Sequence, residues 1–499
     1  MECRMTGFNM SMASMDPERP NIVFILSDDQ GAWATGYSGN DEISTPNLDG
    51  LAASGMRFEN FFCSSPVCSP ARATLLTGRI PSQHGIHDWI SRGNHRETNG
   101  TQETGELIEY LKGQAGYTDI LAAAGYRCGI SGKWHLGDSH HPQKGLTYWQ
   151  VHATGAGKYY NAPMIRDGEI YRETNYVTDV ITDNGIAFLE QQVSDPRPFC
   201  LNLHYTAPHA PWQREHHPKA LFDKYHRECP FESVPEGLAP PEWTRHLSIP
   251  VKDAGQRREY LSGYYAAVEA MDSNIGRVLH WLDTHGLRDN TLVFFTSDNG
   301  MNMGHHGVFG KGNATFPLNM FEESVKVPFI ASRPGHIPAG QCDRGLYSQY
   351  DFLPTLLASV GIKCPDREHL PGMSFAGALR GESRETAEAV VVFDEYGPVR
   401  MIRTTRWKYV HRTPYGHHEL FDLENDPGES DNLAGDDGYN SVRKEMRARL
   451  TEWFARYTDP LRDGTKEAVT GSGQVNLCGP GALGAESFSK GRITHLLSS

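Results

Sequence analysis

The sequence lacks several features that would mark an exported or membrane protein. No apolar run approaches the roughly 20 residues that a membrane-spanning helix needs, and residues 1–20 lack the long apolar core of a secretory signal. The nine cysteines are odd in number and irregularly spaced, which disfavours a disulfide framework. We therefore expect a cytoplasmic protein with no membrane partner and with a flexible N-terminus over residues 1–20.

Basic residues are also scarce, with 47 Lys and Arg against 61 Asp and Glu and a formal net charge of −14. This acidic balance disfavours a nucleic-acid partner. No internal repeat or low-complexity segment is present. The hydrophobic content of 38% and charged content of 22% are typical of a globular protein with a sizeable core. A chain of 499 residues can form one large domain and a smaller one.

Short apolar segments alternate with helical patterns through the first three quarters of the chain. The predicted strands include residues 21–26, 126–131, 199–205 and 291–296, and the predicted helices include residues 47–54, 105–124, 176–191 and 256–282. Such alternation predicts an α/β fold with a large, mostly parallel sheet sandwiched by helices.

A different pattern follows a polar stretch at residues 381–388. Four short strands are predicted at residues 390–394, 399–403, 407–411 and 419–422, with a helix at residues 439–457. The short connections favour a small antiparallel sheet. We place a domain boundary near residue 385, which gives a large domain over residues 21–385 and a C-terminal α+β subdomain over residues 386–499. The stretch after Gly464 is Gly-rich and weakly patterned.

Two apolar strands end in matching pairs of oxygen-bearing side chains. The first strand leads into Asp28 and Asp29, and the strand at residues 291–296 leads into Asp298 and Asn299. Ligands of open parallel sheets bind outside the carboxyl ends of strands, and clustered oxygen ligands suit Ca²⁺ or Mg²⁺ rather than zinc. The alternative is that both pairs are ordinary strand-terminating turns.

Cys68 lies where a helix is predicted to begin. Pro70 suits the first turn of a helix, and Gly78 suits its end. The free N–H groups of a helix N-terminus favour negative charge, and Arg72 lies one turn further on. The pattern indicates an anion-binding turn with a nucleophile, although a small buried cysteine would also fit.

These motifs resemble the signature of the type I sulfatases, which belong to the alkaline phosphatase superfamily. The signature is carried by CSPAR at residues 68–72 and LLTGR at residues 75–79, followed by GKWHLG at residues 132–137, APHAP at residues 207–211 and FGKGN at residues 309–313. The resemblance extends over residues 21–434. Ala71, Asn313 and Lys326 depart from the common residues of the family without removing a catalytic group.

The resemblance implies a role for each matching residue. Cys68 would be converted by a formylglycine-generating maturation enzyme into formylglycine, whose hydrated aldehyde attacks the sulfate ester. The implied Ca²⁺ ligands, with Mg²⁺ as the alternative ion, are Asp28, Asp29, Cys68, Asp298 and Asn299. The implied catalytic residues are Cys68, Arg72, Lys133, His135, His209 and Lys311.

The substrate is predicted to be a small sulfated saccharide, and the expected reaction is release of sulfate from a carbohydrate sulfate. His87 and Asp88 could hydrogen-bond sugar hydroxyls, and Trp89 or Trp212 could stack on a ring, although a packed loop would explain the same residues. The first alternative function is a formylglycine-dependent phosphonate monoester hydrolase or phosphodiesterase. The second is an inactive homologue that binds sulfated glycans.

Overall fold

The computed structural model describes residues 19–99, 102–382, 387–396, 398–413 and 416–488. The predicted flexible N-terminus lies almost wholly outside these residues. The predicted domain boundary near residue 385 also lies outside them, so the division into domains stays a prediction. In the described part of the chain, no helix is long and apolar enough to cross a membrane.

The strands and helices are numbered in chain order. The strands are β1 (Asn21–Ser27), β2 (Met56–Phe62), β3 (Glu97–Asn99), β4 (Gln102–Thr104), β5 (Arg127–Lys133), β6 (Tyr148–His152), β7 (Ala162–Arg166), β8 (Glu169–Glu173), β9 (Phe199–His204), β10 (His246–Leu247), β11 (Thr291–Ser297), β12 (Asn302–Met303), β13 (Phe309–Gly310), β14 (Thr315–Phe316), β15 (Lys326–Val327), β16 (Phe329–Ser332), β17 (Gln341–Ser348), β18 (Val390–Asp394), β19 (Val399–Arg403), β20 (Trp407–Arg412) and β21 (Glu419–Asp422). The helices are α1 (Pro46–Ala53), α2 (Cys68–Thr77), α3 (Pro81–His84), α4 (Tyr117–Ala123), α5 (Val177–Gln192), α6 (Lys219–Glu228), α7 (Ala254–Thr284), α8 (Glu322–Val325), α9 (Phe352–Ser359), α10 (Ala376–Leu379) and α11 (Asn440–Tyr457).

The main sheet has 11 strands, and its centre is parallel. Its order is β15-β2-β16-β11-β1-β9-β5-β6-β7-β8, with β17 paired to β2. The neighbours β11, β1, β9, β5 and β6 run parallel to one another, whereas β16 and β7 begin the antiparallel flanks. The predicted fold class, a large sheet with helices and a small antiparallel sheet, is confirmed, and its antiparallel flanks make the sheet mixed.

Helices cover both faces of the main sheet, as the packing of β1 shows. Ile22, Phe24 and Leu26 belong to the hydrophobic core that includes α2, α4 and α9. Val23 and Ile25 belong to the opposite core, which includes α1, α5 and α7. Side chains of a strand alternate between its two faces, so a strand that is apolar at every position is buried on both sides.

One predicted helix is largely wrong. The structure forms a helix only over Tyr117–Ala123 of the predicted residues 105–124. Gly113 has a left-handed φ of 77°, a conformation that interrupts a helix. The Asp119 carboxylate accepts a hydrogen bond from the Gly116 N–H at 2.8 Å and caps the shorter helix.

The small sheet, β18-β19-β20-β21, is antiparallel throughout. Its core includes Phe393 and Tyr409 together with Met446, Leu450 and Phe454 of α11. The predicted strands agree with the observed ones to within a residue at each end.

A buried lysine on the small sheet joins it to α8. Lys408 is fully buried, and its Nζ lies 2.6 Å from Glu429 Oε1 and 3.2 Å from Glu322 Oε1. Burial alone would lower the pKa of Lys408, but Glu429 and Glu322 raise it. The ammonium therefore neutralises carboxylates that would otherwise repel each other in a region shielded from water.

Replacing this lysine should therefore be costly. We expect Lys408→Ala to lower the free energy of unfolding by about 3–5 kcal/mol, because it removes the ammonium beside the buried Glu429, whereas Glu322 keeps Arg403 at 3.4 Å. Urea unfolding measures the change. The control is Lys112→Ala in an exposed turn, with an expected change within about 0.5 kcal/mol. Equal effects of the two variants would contradict the proposed importance of the buried ion pairs.

Candidate active site

The two oxygen-rich strand ends lie side by side. β1 and β11 pair in parallel with Ser27 opposite Ser297, so the residues after each strand meet at one edge of the sheet. Asp29 N–H donates to Asp298 Oδ1 at 3.1 Å, and Asn299 Nδ2 donates to Asp29 Oδ1 at 2.7 Å. Asp28, Asp298 and Asn299 are fully buried. The parallel register thus brings together all four side chains predicted from the two strand ends.

Cys68 is the first residue of α2 and faces these carboxylates. The preceding Val67 is extended, and Gly78 ends the helix with a left-handed φ of 67°. The Cys68 Sγ lies 3.6 Å from Asp28 Oδ1, 3.9 Å from Asp29 Oδ1 and 2.6 Å from Lys311 Nζ. A helix N-terminus favours negative charge, so Cys68 occupies a position suited to an anionic group.

Three cations approach the three carboxylates, one for each. These ion pairs are Lys133 Nζ to Asp28 Oδ2 at 2.7 Å, Lys311 Nζ to Asp29 Oδ1 at 2.6 Å and Arg72 Nε to Asp298 Oδ2 at 2.8 Å. All six side chains are nearly inaccessible to water. With the acids ionised and the bases protonated, the six formal charges sum to zero.

Two polar atoms beside the carboxylates have no hydrogen-bond partner among the described residues. Asn299 Oδ1 and Arg72 Nη2 are both buried without a hydrogen bond, which is costly for a buried polar group, although Arg72 Nη2 lies 4.0 Å from Asp28 Oδ1. Burial and the neighbouring Asp298 raise the pKa of Asp28 to about 6, against the effect of Lys133. A cation among these oxygens would satisfy Asn299 and favour ionised Asp28.

The donor set fits a divalent cation. Ligand atoms of Asp28, Asp29, Cys68 and His209 lie within 4.8 Å of one another, and the unpaired oxygen of Asn299 adds a further donor. Carboxylate and amide oxygens are the ligands preferred by hard ions. An added dication would also change the neutral group of six charges into a positive site that can attract an anion.

His135 lies beside this group in a constrained conformation. Its φ is 55°, and its Nε2 is 3.0 Å from the carbonyl oxygen of Ile90. Burial, followed by the charge of Lys133, lowers the pKa of His135 well below its usual value. Its other ring nitrogen, Nδ1, has no hydrogen-bond partner among the described residues. A neutral imidazole with a free nitrogen can accept a proton.

The predicted catalytic residues open onto a cavity of about 430 Å³. Cys68, Lys133, His135, His209 and Lys311 line it, whereas Arg72 is not among the lining residues. The Nε2 atom of His209 lies 3.5 Å from Asp29 Oδ2. The structure therefore brings the predicted catalytic set and metal ligands into one site.

The rest of the cavity wall is mixed in character. Trp89 and Trp212 supply aromatic surface, and Asn94, Ser248 and Asn313 supply polar groups. Such walls suit a ring that carries hydroxyl groups, because its faces are apolar and its edges are polar. Asn94, Ser248 and Asn313 were not among the predicted substrate residues, since a single polar residue in a loop gives no distinguishing pattern.

His87 and Asp88 do not reach the cavity. Their exposed fractions are 1% and 0%, and neither belongs to the lining residues. Asp88 accepts hydrogen bonds from the Trp89 N–H at 2.8 Å and from the Gly473 N–H at 3.2 Å. The predicted contact with sugar hydroxyls is therefore corrected: the carboxylate of Asp88 holds two backbone segments together behind the wall.

The segment around Gly473 packs against a loop that forms part of the cavity wall. The Gly-rich end of the chain packs against residues 85–91, and Gln474 pairs with Ile90 in an isolated parallel bridge. No periodicity in the sequence predicts this contact.

Comparison with known proteins identifies the family. A family model described as Sulfatase matches residues 20–362. A second model, described as N-sulphoglucosamine sulphohydrolase, C-terminal, matches residues 304–456. The first of these models spans more than half of the 499 residues.

Individual relatives agree with this match. An N-acetylglucosamine-6-O-sulfatase of Bacteroides thetaiotaomicron is 30% identical over 93% of this chain and 91% of its own length. The N-acetylgalactosamine-6-sulfatase of Homo sapiens is 32% identical over 74% of this chain and 67% of its own length. A solved structure in complex with its substrate, D-glucosamine-2-N,6-O-disulfate, is 28% identical with a TM-score of 0.71, covering 90% of this chain and all of that one. With its fold, its motifs and the matched family model in agreement, the chain belongs to the sulfatase family as a type I sulfatase of the alkaline phosphatase superfamily.

Proposed function

We propose that this sulfatase releases inorganic sulfate from a carbohydrate sulfate, with formylglycine made from Cys68 and with bound Ca²⁺. The observation that carries the proposal is the position of Cys68 at a helix N-terminus beside three buried cations. Lys133 and Lys311 line the cavity where sulfate oxygens would lie, and Arg72, one turn along α2 from Cys68, adds a third positive charge. Preorganised charges of this kind stabilise the charge that develops during transfer of the sulfuryl group.

The environment of Cys68 supports modification of its side chain. Burial raises the pKa of the Cys68 thiol to about 12, although Lys133 and Lys311 lower it. An unmodified thiol would therefore stay protonated near neutral pH and would be a weak nucleophile. When present, formylglycine supplies a hydrated aldehyde with one hydroxyl to attack sulfur and a second whose ionisation allows release of sulfate.

The two histidines are suited to move protons on different sides of the site. His135 is neutral and presents an unpaired Nδ1, which can accept a proton from a hydroxyl at position 68. His209 lines the cavity and can protonate or hydrogen-bond the departing alcohol. Lys311 contacts both Asp29 and Cys68, so its charge lies between the metal ligands and the nucleophile position.

Asp28, Asp29, Asp298 and Asn299 would hold Ca²⁺ together with an oxygen at position 68. Bound Ca²⁺ would supply positive charge to polarise sulfate oxygens. The oxygen-only character of the four strand-end ligands favours Ca²⁺, with Mg²⁺ as the alternative.

Sulfated hexosamines are the substrate class that the comparisons support. The names of two relatives specify the 6-sulfates of N-acetylglucosamine and N-acetylgalactosamine, and one solved structure contains D-glucosamine-2-N,6-O-disulfate. Trp89 and Trp212 could pack against the ring or its acetamido methyl group, with polar contacts from Asn94 and Asn313. A maturation enzyme that generates formylglycine is the required partner.

Calcium should stabilise the protein through the strand-end ligands. We expect Ca²⁺ at about 100 times its Kd to add about 2.7 kcal/mol to the free energy of unfolding of chelator-treated protein. Asp298→Asn should lose most of this gain because it removes one negative ligand. The control is Asp272→Asn, which changes a buried aspartate that caps α1 and should keep the gain. Calorimetry with Ca²⁺ and Mg²⁺ measures both effects, and an equal gain in both variants would contradict the assignment.

Formylglycine at position 68 should be necessary for turnover. We expect the mass of the peptide containing Cys68 to match formylglycine when the protein is made with a maturation enzyme. Cys68→Ala should lower kcat/KM by roughly 10⁴-fold or more, whereas Cys200→Ala in the buried β9 strand should stay active. Turnover by Cys68→Ala at the wild-type rate would refute the proposed nucleophile.

A substrate panel separates the candidate functions. We expect kcat/KM for N-acetylglucosamine-6-sulfate to exceed that for a phosphodiester or a phosphonate monoester by at least about 100-fold, or roughly 2.7 kcal/mol. Faster phosphodiester hydrolysis would favour the first alternative. Binding of sulfated sugars without turnover by formylglycine-containing protein would favour the inactive homologue.

A further inference from the structure

A segment near the end of the described chain supports one wall of the active site. We define the strap as residues 471–478 and the wall loop as residues 85–91. The strap lies against the wall loop, and its Gln474 is fully buried. Trp89, Ile90 and Ser91 of the wall loop line the catalytic cavity, so the strap packs directly behind that wall.

The backbone of Gln474 pairs with the wall loop as a strand would. Its N–H donates to the Trp89 carbonyl at 2.7 Å, and its carbonyl accepts from the Ser91 N–H at 3.0 Å. These two bonds flank Ile90 and, together with the bond that Asn94 Nδ2 donates to the Ile90 carbonyl at 3.1 Å, fix the direction of that carbonyl. The wall loop forms no named strand or helix of its own. Its backbone groups therefore find in the strap the hydrogen-bond partners that a helix or a sheet would otherwise provide.

The side chain of Gln474 makes further contacts with the same loop. Its Oε1 accepts from the His87 N–H at 2.9 Å, and its Nε2 donates to the Gly85 carbonyl at 2.9 Å. The Nε2 group also donates to the Asn476 carbonyl at 2.9 Å. One amide therefore hydrogen-bonds three backbone groups, two buried ones on the wall loop and one part-buried one on the strap. Glutamine has both the acceptor and the donors that this arrangement requires.

The wall loop connects the strap to His135. The Ile90 carbonyl lies 3.0 Å from His135 Nε2, while the Ile90 N–H donates to Ser69 Oγ next to Cys68 at 3.1 Å. Gly155 packs against the same Nε2 end of the imidazole, because a Cβ at Gly155 would lie 2.2 Å from its Cε1 and Nε2 atoms. The Nε2 end of the imidazole is therefore enclosed by Gly155 and the Ile90 carbonyl, and a shift of the wall loop would remove the carbonyl contact.

We infer that Gln474 is a positioning residue that, by anchoring the wall loop, keeps the Ile90 carbonyl where it orients the His135 imidazole. The inference rests on the proposed function for the catalytic role of His135. Gln474 itself contacts neither the sulfate-binding cations nor the metal ligands. Its loss should therefore affect the chemical step while leaving Ca²⁺ affinity and formylglycine content unchanged.

The first test measures the wall loop without relying on turnover. In full-length Gln474→Ala, we expect amide hydrogen exchange of residues 85–91 to be at least about tenfold faster than in wild type, because lost bonds raise the population of the open loop. The matched control is Gln192→Ala, which removes a buried glutamine whose Nε2 donates to the Phe188 carbonyl at the end of α5. Unchanged exchange of the wall loop in Gln474→Ala would overturn the inference whatever reaction the protein catalyses.

The second test measures the chemical step. Gln474→Ala should lower kcat for N-acetylglucosamine-6-sulfate by about 10- to 100-fold, normalised to formylglycine content, with Ca²⁺ affinity unchanged. Gln192→Ala should keep the wild-type kcat. A merely structural role would lower the Tm without changing kcat per folded molecule, and that result would also overturn the inference. Absence of wild-type turnover would instead count against the proposed function, while hydrogen exchange would still decide the position of the loop.

A second variant addresses the case in which Gln474→Ala does not fold. Gly473 has a φ of 97°, and a Cβ there would lie 2.5 Å from the Cβ of Ser91. Gly473→Ala should therefore push the strap from the wall loop and produce the same faster exchange and lower kcat. Gly361→Ala is its control, since Gly361 has a φ of 70° and open space around it. Wild-type exchange and kcat in Gly473→Ala would overturn the inference.

Discussion

The active site depends on the balance between three buried carboxylates and three buried cations. The six partners come from five parts of the fold: two carboxylates follow β1, one follows β11, and the cations come from α2, β5 and the loop after β13. Burying any one of these charges alone would cost several kcal/mol. Their mutual pairing makes burial tolerable, and burial in turn strengthens their effect on a bound anion.

The positions of these charged residues, at strand ends and inside recognisable motifs, explain why so much of the site could be predicted from the sequence. Asp28 and Asp298 follow apolar strands, and a parallel sheet brings the ends of neighbouring strands to the same edge. The motifs around Cys68, Lys133 and His209 could be placed by their resemblance to the sulfatases. The apolar strands themselves were predictable because they are buried on both faces and contain many β-branched residues.

The rest required the three-dimensional structure, for identifiable reasons. The helix predicted from Gly105 is shortened by the left-handed Gly113 and the Asp119 cap, and local propensity did not indicate where the helix would begin. His87 and Asp88 looked like sugar ligands because they are polar residues in a loop near Cys68. Their burial depends on the strap, whose Gln474 lies 387 residues after His87 in the sequence. A contact of that separation leaves no periodicity in either segment.

These long separations also set an order in which the site can be completed during synthesis. Asp29 and its neighbour Asp298 are 269 residues apart, so at about 5–20 residues per second the ribosome needs tens of seconds to supply the second strand end. Until then, Asp28 and Asp29 can remain solvated rather than paired. The strap is made later still, after every charged group of the site. An emerging chain therefore acquires its charges before it acquires the strap that would anchor the wall loop beside His135.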